Sequence, residues 1–242
     1  DEASGVAGFL HATALMFVAF TGYGRLATLG EEVHEPRKTI PQAIVVTLVA
    51  TAGIYAVVAF VAVASAGASN LAAATQQAAA PLVVVARAFL PPSVAWLVAL
   101  GAVTAMLGVL LNLLLGLSRV VLAMARRGDM PSLFARIDRT HASPVAAVLF
   151  VGSIVASLVA FGSVKTTWSF SAFTVLIYYA LTNLAALRLP RKARRYPRWV
   201  PATGLICCLG LAFWVEPVIW AAGLGLIAVG LVWHGIARFV TR

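Results

Sequence analysis

Seven runs without a charged side chain limit what this chain can become. They are Gly5–Gly24, Thr39–Ala86, Ala88–Ser118, Ala142–Val164, Thr166–Leu187, Trp199–Val215 and Pro217–Ala237. A helix needs about 20 residues to cross the hydrocarbon layer. Most runs reach that length; the one at Trp199 is slightly short. The run from Thr39 has room for a span and an external connection. Apolar residues make up 62% of the chain and charged residues 11%, against roughly 25% charged in soluble domains. That leaves too little polar surface to cover a water-soluble particle. The chain reads as an all-α polytopic membrane protein with seven transmembrane helices in a lipid bilayer.

The spans are predicted near 5–28, 42–66, 93–124, 145–161, 168–187, 199–215 and 218–236. In the connection after the second span, the Ala-rich stretch and `PLVVVARAFL` predict short helices at the membrane face. The net charge of +10 follows the same plan. Sixteen of the 18 basic residues fall on alternate loops, leaving only Arg87 and Lys165 on the other side. Basic loops face the cytoplasm, so residue 1 is expected outside and the C-terminus inside the cytoplasmic membrane. Trp96, Trp168, Trp199 and Trp214 lie near predicted span ends, where interfacial anchors sit. The arginines track topology rather than one continuous face, which argues against a nucleic-acid partner.

Adjacent Cys207 and Cys208 in an apolar run do not read as a disulfide framework. His11, His34, His141 and His234 are scattered, with no metal-ligand spacing. No cofactor is expected. An enzyme would need a poised nucleophile and base. His34 near Glu31 and Glu35 matches no catalytic spacing, so the chain reads as a non-enzyme.

The first span interrupts itself at `FTGYGRLATLGEEVHEPRKTIP`, Phe20 to Pro41. Thr21, Gly22 and Gly24 weaken the helix locally. Two readings fit: a close packing contact between helices, or a discontinuous helix whose backbone meets a polar ligand in a cavity. Pro36 is expected to end a loop helix, with Pro41 near the first turn of the second span.

This segment, `FVAFTGYGRLATLGEEVHEPRKTIPQAI`, resembles the sixth helix and following loop of the amino acid–polyamine–organocation transporter superfamily. `SRVVLAMARRGDMPSLFARIDRTHASPVAA` resembles the end of the eighth helix and the loop into the ninth. `YYALTNLAALRLPRK` more weakly resembles the end of the tenth. The resemblance covers essentially the whole chain. It implies helices six to twelve of a LeuT-like fold: residues 1–190 as the second inverted repeat, helices six to ten, and 191–242 as two peripheral helices. Helices one to five are then expected in the same or a separate chain. The implied function is part of a secondary active transporter moving L-amino acids by alternating access. The alternative is a non-transporting subunit or half-transporter needing a partner.

The resemblance also assigns roles. Phe20, Thr21 and Gly22 match the unwound part of the sixth helix and imply backbone recognition. Val18 and Ala19 would flank the side-chain pocket, with Phe20 and Tyr23 closing it. Gly24 departs from the family, which commonly has an acid there, so a small neutral L-amino acid fits better than a polyamine. Glu31 and Glu32 read either as a solvated helix end or as an inner gate pairing with Arg25 or with a basic residue of helices one to five. Arg119 either snorkels to the interface or pairs across that gate. Asn112, Ser118, Ser171 and Asn183 are the polar residues of interest in spans three and five. They form no concentrated oxygen set in span three. A proton gradient is therefore the expected coupling, ahead of sodium.

The charge pattern makes a direct prediction. Cysteines placed one at a time at Arg126, Arg194, Asn70 and Lys165, in a background lacking Cys207 and Cys208, should divide into two classes. Only positions 70 and 165 should react with an impermeant reagent from outside. External labelling of 126 or 194 would reverse the orientation.

Overall fold

The computed structural model describes residues 2–22, 33–77, 81–138 and 143–240. These residues are helical throughout, apart from turns and one isolated bridge between Asp138 and Ser143. The helices are α1 (Glu2–Met16), α2 (Pro36–Ala66), α3 (Ala68–Gln77), α4 (Pro81–Phe89), α5 (Pro92–Arg126), α6 (Val145–Phe161), α7 (Val164–Leu187), α8 (Trp199–Ala212) and α9 (Pro217–Val240). Short 3₁₀ turns at Phe17–Phe20, Ser132–Ala135 and Arg191–Ala193 complete the order among the described residues. Helix is the expected answer to hydrocarbon, because it satisfies every backbone polar group within one segment.

The seven apolar helices expected are present. Segments of α2, α5, α7 and α9 are long and apolar enough to cross a membrane, whereas Gly5–Phe20, Val145–Ala160 and Trp199–Ala212 are shorter. The first is shortened by its interruption, and α8 stops in a turn at Phe213 and Trp214. Large apolar side chains stand uncovered: Val46 is 68% exposed, Val49 69% and Phe60 74%. Water does not tolerate such continuous apolar faces, but lipid does. The two short helices expected after the second span are α3 and α4.

One boundary differs from expectation. Pro36 does not end a loop helix; it opens α2, and Pro41 lies inside that helix. Proline at the first helical position loses nothing, since that N–H has no intrahelical partner. Pro41 sits five residues later and withholds the N–H that Arg37's carbonyl would otherwise accept.

The chain forms two compact units, Asp1–Gly22 with Ser118–Arg242, and Tyr23–Leu117. In the second unit, α2, α3 and α4 pack on one another. In the first, α7 is the common neighbour of α1, α8 and α9. Its Ala172, Phe173 and Leu176 are fully buried, with Ser169 and Ala180 nearly so. Two glycines permit the close approach of its neighbours. A Cβ on Gly204 of α8 would lie 2.6 Å from Asn183 Oδ1, and one on Gly223 of α9 would run into the Phe173 ring. Small residues at such contacts let membrane helices approach closely enough for dispersion to act.

Gly223→Ala should therefore destabilise. Phe173 is fully buried, and overpacking costs about 1–3 kcal/mol. Gly225→Ala is the control, because nothing lies within 4 Å of its added methyl. Thermal unfolding in detergent should show a lower midpoint for Gly223→Ala alone. Equal midpoints would remove this contact from the packing account.

Candidate functional site

The interruption in the first span is a physical break. The α-helical pattern stops at Met16, tightens into the 3₁₀ turn Phe17–Phe20, and gives way to extended backbone at Thr21 with φ −84° and ψ 167°. Gly22 follows at φ 112°, a region side chains other than glycine's rarely adopt. Thr21 closes the turn on itself. Its amide N–H and its hydroxyl both donate to the Val18 carbonyl, at 3.1 and 2.7 Å. The hydroxyl is thus committed to the local backbone. Val18, Ala19, Phe20 and Thr21 are half-buried and Gly22 is exposed. Tyr23, Arg25, Glu31 and Glu32 lie outside the described residues.

Helix α7 supports this break. Trp168 Nε1 donates to the Leu15 carbonyl at 3.0 Å, two residues ahead of the change in helix type. Phe17 meets the Tyr179 ring edge-on, with centroids 5.6 Å apart. The sequence marks Trp168 only as an interfacial anchor and gives no sign of Phe17 or Tyr179. The α8–α9 turn holds α1 upstream. His11 Nδ1 lies 2.9 Å from the Trp214 carbonyl, and its Nε2 lies 4.0 Å from Glu216 Oε1. No local motif announces a pairing across 203 residues.

The other singled-out residues are dispersed. Arg119 is exposed and makes no ion pair among the described residues, beside fully buried Ser118. Asn112 is exposed. Asn183 donates to the Tyr179 carbonyl at 2.9 Å, and the Ser171 carbonyl accepts from Thr174 at 3.1 Å. Both are contacts within α7. Cys207 is exposed and Cys208 buried, each a free thiol.

A second polar group ties α9 to the turn after α5. Gly128 at φ 83° ends α5, with Gly128 N–H donating to Ala125 and Asp129 N–H to Met124; this is the Schellman arrangement. It presents Asp129 to three partners. Its carbonyl accepts from Trp233 Nε1 at 3.0 Å, while its carboxylate meets His234 at 3.3 Å and Arg127 at 3.3 Å.

These features define a multi-pass helical membrane protein with a discontinuous first helix, braced by a long neighbouring helix. Residues 2–240 match the amino acid permease family, and the chain belongs to it. It is 43% identical over 238 residues to an uncharacterized transporter of Mycobacterium tuberculosis, covering 97% of this chain and 52% of the relative. It is 27% identical over 236 residues to the branched-chain amino acid permease BcaP of Bacillus subtilis, covering 98% of this chain and 48% of the relative. It is 31% identical over 194 residues to human cationic amino acid transporter 4, covering 78% and 29%. The chain thus spans about half, or less, of the length of the curated relatives it matches.

The break yields its own prediction. Nothing lies within 4 Å of a Cβ added at Gly22 or at Gly8, so only backbone conformation separates the two. Gly8→Ala, inside α1, should stabilise by roughly 0.5–1 kcal/mol. Gly22→Ala should destabilise by about 1–3 kcal/mol, the cost of a side chain at positive φ. Opposite shifts of the unfolding midpoint are expected, and shifts of the same sign would dismiss the conformational account.

Proposed function

We propose that this chain forms part of a secondary active transporter that moves L-amino acids by alternating access across the cytoplasmic membrane. The carrying observation is the interruption of α1 at Phe17–Gly22 in a chain of the amino acid permease family. A helix stopped inside a membrane leaves its carbonyl end as a partial negative charge, suited to an ammonium group. A zwitterionic substrate needs both charges satisfied once it leaves water. In this reading Phe20, Thr21 and Gly22 offer backbone to the ammonium, and Val18, Ala19, Phe20 and Tyr23 bound the side-chain pocket. Residues 1–190 act as one inverted repeat and 191–242 as peripheral helices. The carboxylate is met by helices supplied in the same or a separate chain. Arg25, Glu31, Glu32 and Arg119 serve as the inner gate. Coupling is to protons.

The relatives' names favour two side-chain classes, branched-chain and cationic. No acidic residue lies between Gly5 and Gly24, which supports the neutral class. A cationic substrate is the second reading, carried by the relatives named as cationic transporters that cover 76–78% of this chain.

Competition uptake in vesicles containing the full-length protein decides between them. Leucine and alanine should compete and arginine should not. Ala19→Trp, at matched expression, should weaken leucine uptake more than alanine uptake, because it fills the pocket. Preferred uptake of arginine would establish the second reading. A sodium requirement insensitive to collapse of the proton gradient would reject proton coupling. Loss of nothing in Ala19→Trp would remove this segment from the pocket.

A further inference from the structure

We propose that His11 and Glu216 form a one-proton binding site that clasps α1 to the α8–α9 turn when the proton is bound and loosens it when the proton leaves. The argument starts from hydrogen-bond polarity. The Trp214 carbonyl can only accept, so His11 Nδ1, 2.9 Å away, carries the hydrogen and donates. In a neutral imidazole the other nitrogen then bears a lone pair. That nitrogen, Nε2, is the atom that faces Glu216 Oε1, at 4.0 Å. Two acceptors oppose each other across an ion-pair distance. One added proton converts repulsion into attraction, as imidazolium against carboxylate or imidazole against carboxylic acid.

Glu216 adds an independent observation. Its side chain is 37% exposed as a whole, yet Oε2 is shielded and has no hydrogen-bond partner among the described residues. A shielded, unpaired carboxylate oxygen is costly unless a counter-charge or a proton accompanies it. The amides of Ile219 and Trp220 bond the Glu216 carbonyl, so the acid stands at the start of α9. The positive end of a helix favours a carboxylate there. Imidazole is the side chain whose charge changes across physiological pH.

The surroundings leave the pair to itself. Ionisable groups on the elements packed around it are Lys165, Tyr178 and Tyr179 of α7, Cys207 and Cys208 of α8, and His234 and Arg238 of α9. Lys165 makes no ion pair among the described residues, at the N-terminal end of α7. Tyr179 carries Phe17 and the neighbouring Tyr178 ring, and His234 is held by Asp129. Glu2 opens α1. The consequence for transport rests on reading α1 as the substrate helix; the proton site itself does not.

The test needs no substrate. In the full-length protein in detergent, the unfolding midpoint is followed from about pH 5 to about pH 8, the range in which imidazole changes charge. Glu216→Gln replaces the anion with a neutral amide able to donate to Nε2, so it should hold the clasp at every pH. The parent's midpoint should fall relative to Glu216→Gln as pH rises. In a His11→Gln background, where no imidazole stands at this site, adding Glu216→Gln should produce no such pH-dependent difference. Ring nitrogen-15 signals assigned by their loss in His11→Gln should show His11 protonated on both nitrogens at the acid end in the parent. Midpoints of parent and Glu216→Gln running parallel across the range would overturn the site, as would a His11 ring that never takes a second proton. Should Glu216→Gln fail to fold, the nitrogen-15 titration decides alone. A flat uptake assay with an intact pH difference would instead count against the transporter reading.

Discussion

No backbone polar group in hydrocarbon can fall back on water, and the rest of this structure follows from that constraint. It dictates helices wherever the chain crosses, and it makes any interruption a liability that other protein groups must cover. The break after Met16 shows what cover means. Thr21 returns two hydrogen bonds to Val18, Trp168 donates into the last full turn, and Tyr179 shields Phe17. Two of these three devices come from α7. That helix also accepts α8 and α9, so the element with the deepest burial is the one against which the weakest element leans.

Close approach to α7 cannot come from hydrophobic expulsion, because lipid is as apolar as leucine. It comes from fit. Gly204 admits the Asn183 carboxamide, and Gly223 admits the Phe173 ring. The bulk removed from α8 and α9 reappears on α7, so each pair interlocks. In the other unit, α2 presents Val46, Val49 and Phe60 uncovered. These side chains suit lipid or further helices, and they are the reason so few residues of that unit are buried.

The sequence disclosed what depends on local chemistry. Uncharged runs announced the helices because span length is a one-dimensional property. Gly22 announced the break because positive φ selects glycine locally. The start of α2 was missed because Pro36 and Pro41 both suit a helix beginning, and the pattern does not choose the earlier one. His11, Trp214 and Glu216 were illegible in another sense. Each looks ordinary alone, and only the packing of α1 beside α8 brings them together. Trp168 was hidden behind a general rule. Tryptophan near a span end reads as an interfacial anchor, whereas here the indole N–H serves the Leu15 carbonyl.

These polar ties have a common energetic character. Hydrogen bonds between membrane helices average about 0.6 kcal/mol and reach about 1.7 kcal/mol. The bonds Trp168–Leu15 and His11–Trp214 therefore hold α1 by an amount on the order of 1–3 kcal/mol together, if they add. A hold of that size fixes one orientation without locking it. A ligand shifts a two-state equilibrium only by its differential affinity for the two states, and 1–3 kcal/mol lies within the coupling range of known effectors. By contrast, α8 and α9 meet α7 through interlocked glycine contacts whose separation would open a void with no compensating bond. The division of labour is thus written in the kind of contact each helix makes. α8 and α9 are joined to α7 by shape. α1 is tethered by a few weak, directional bonds, and one of them is placed beside a group that can gain or lose a proton.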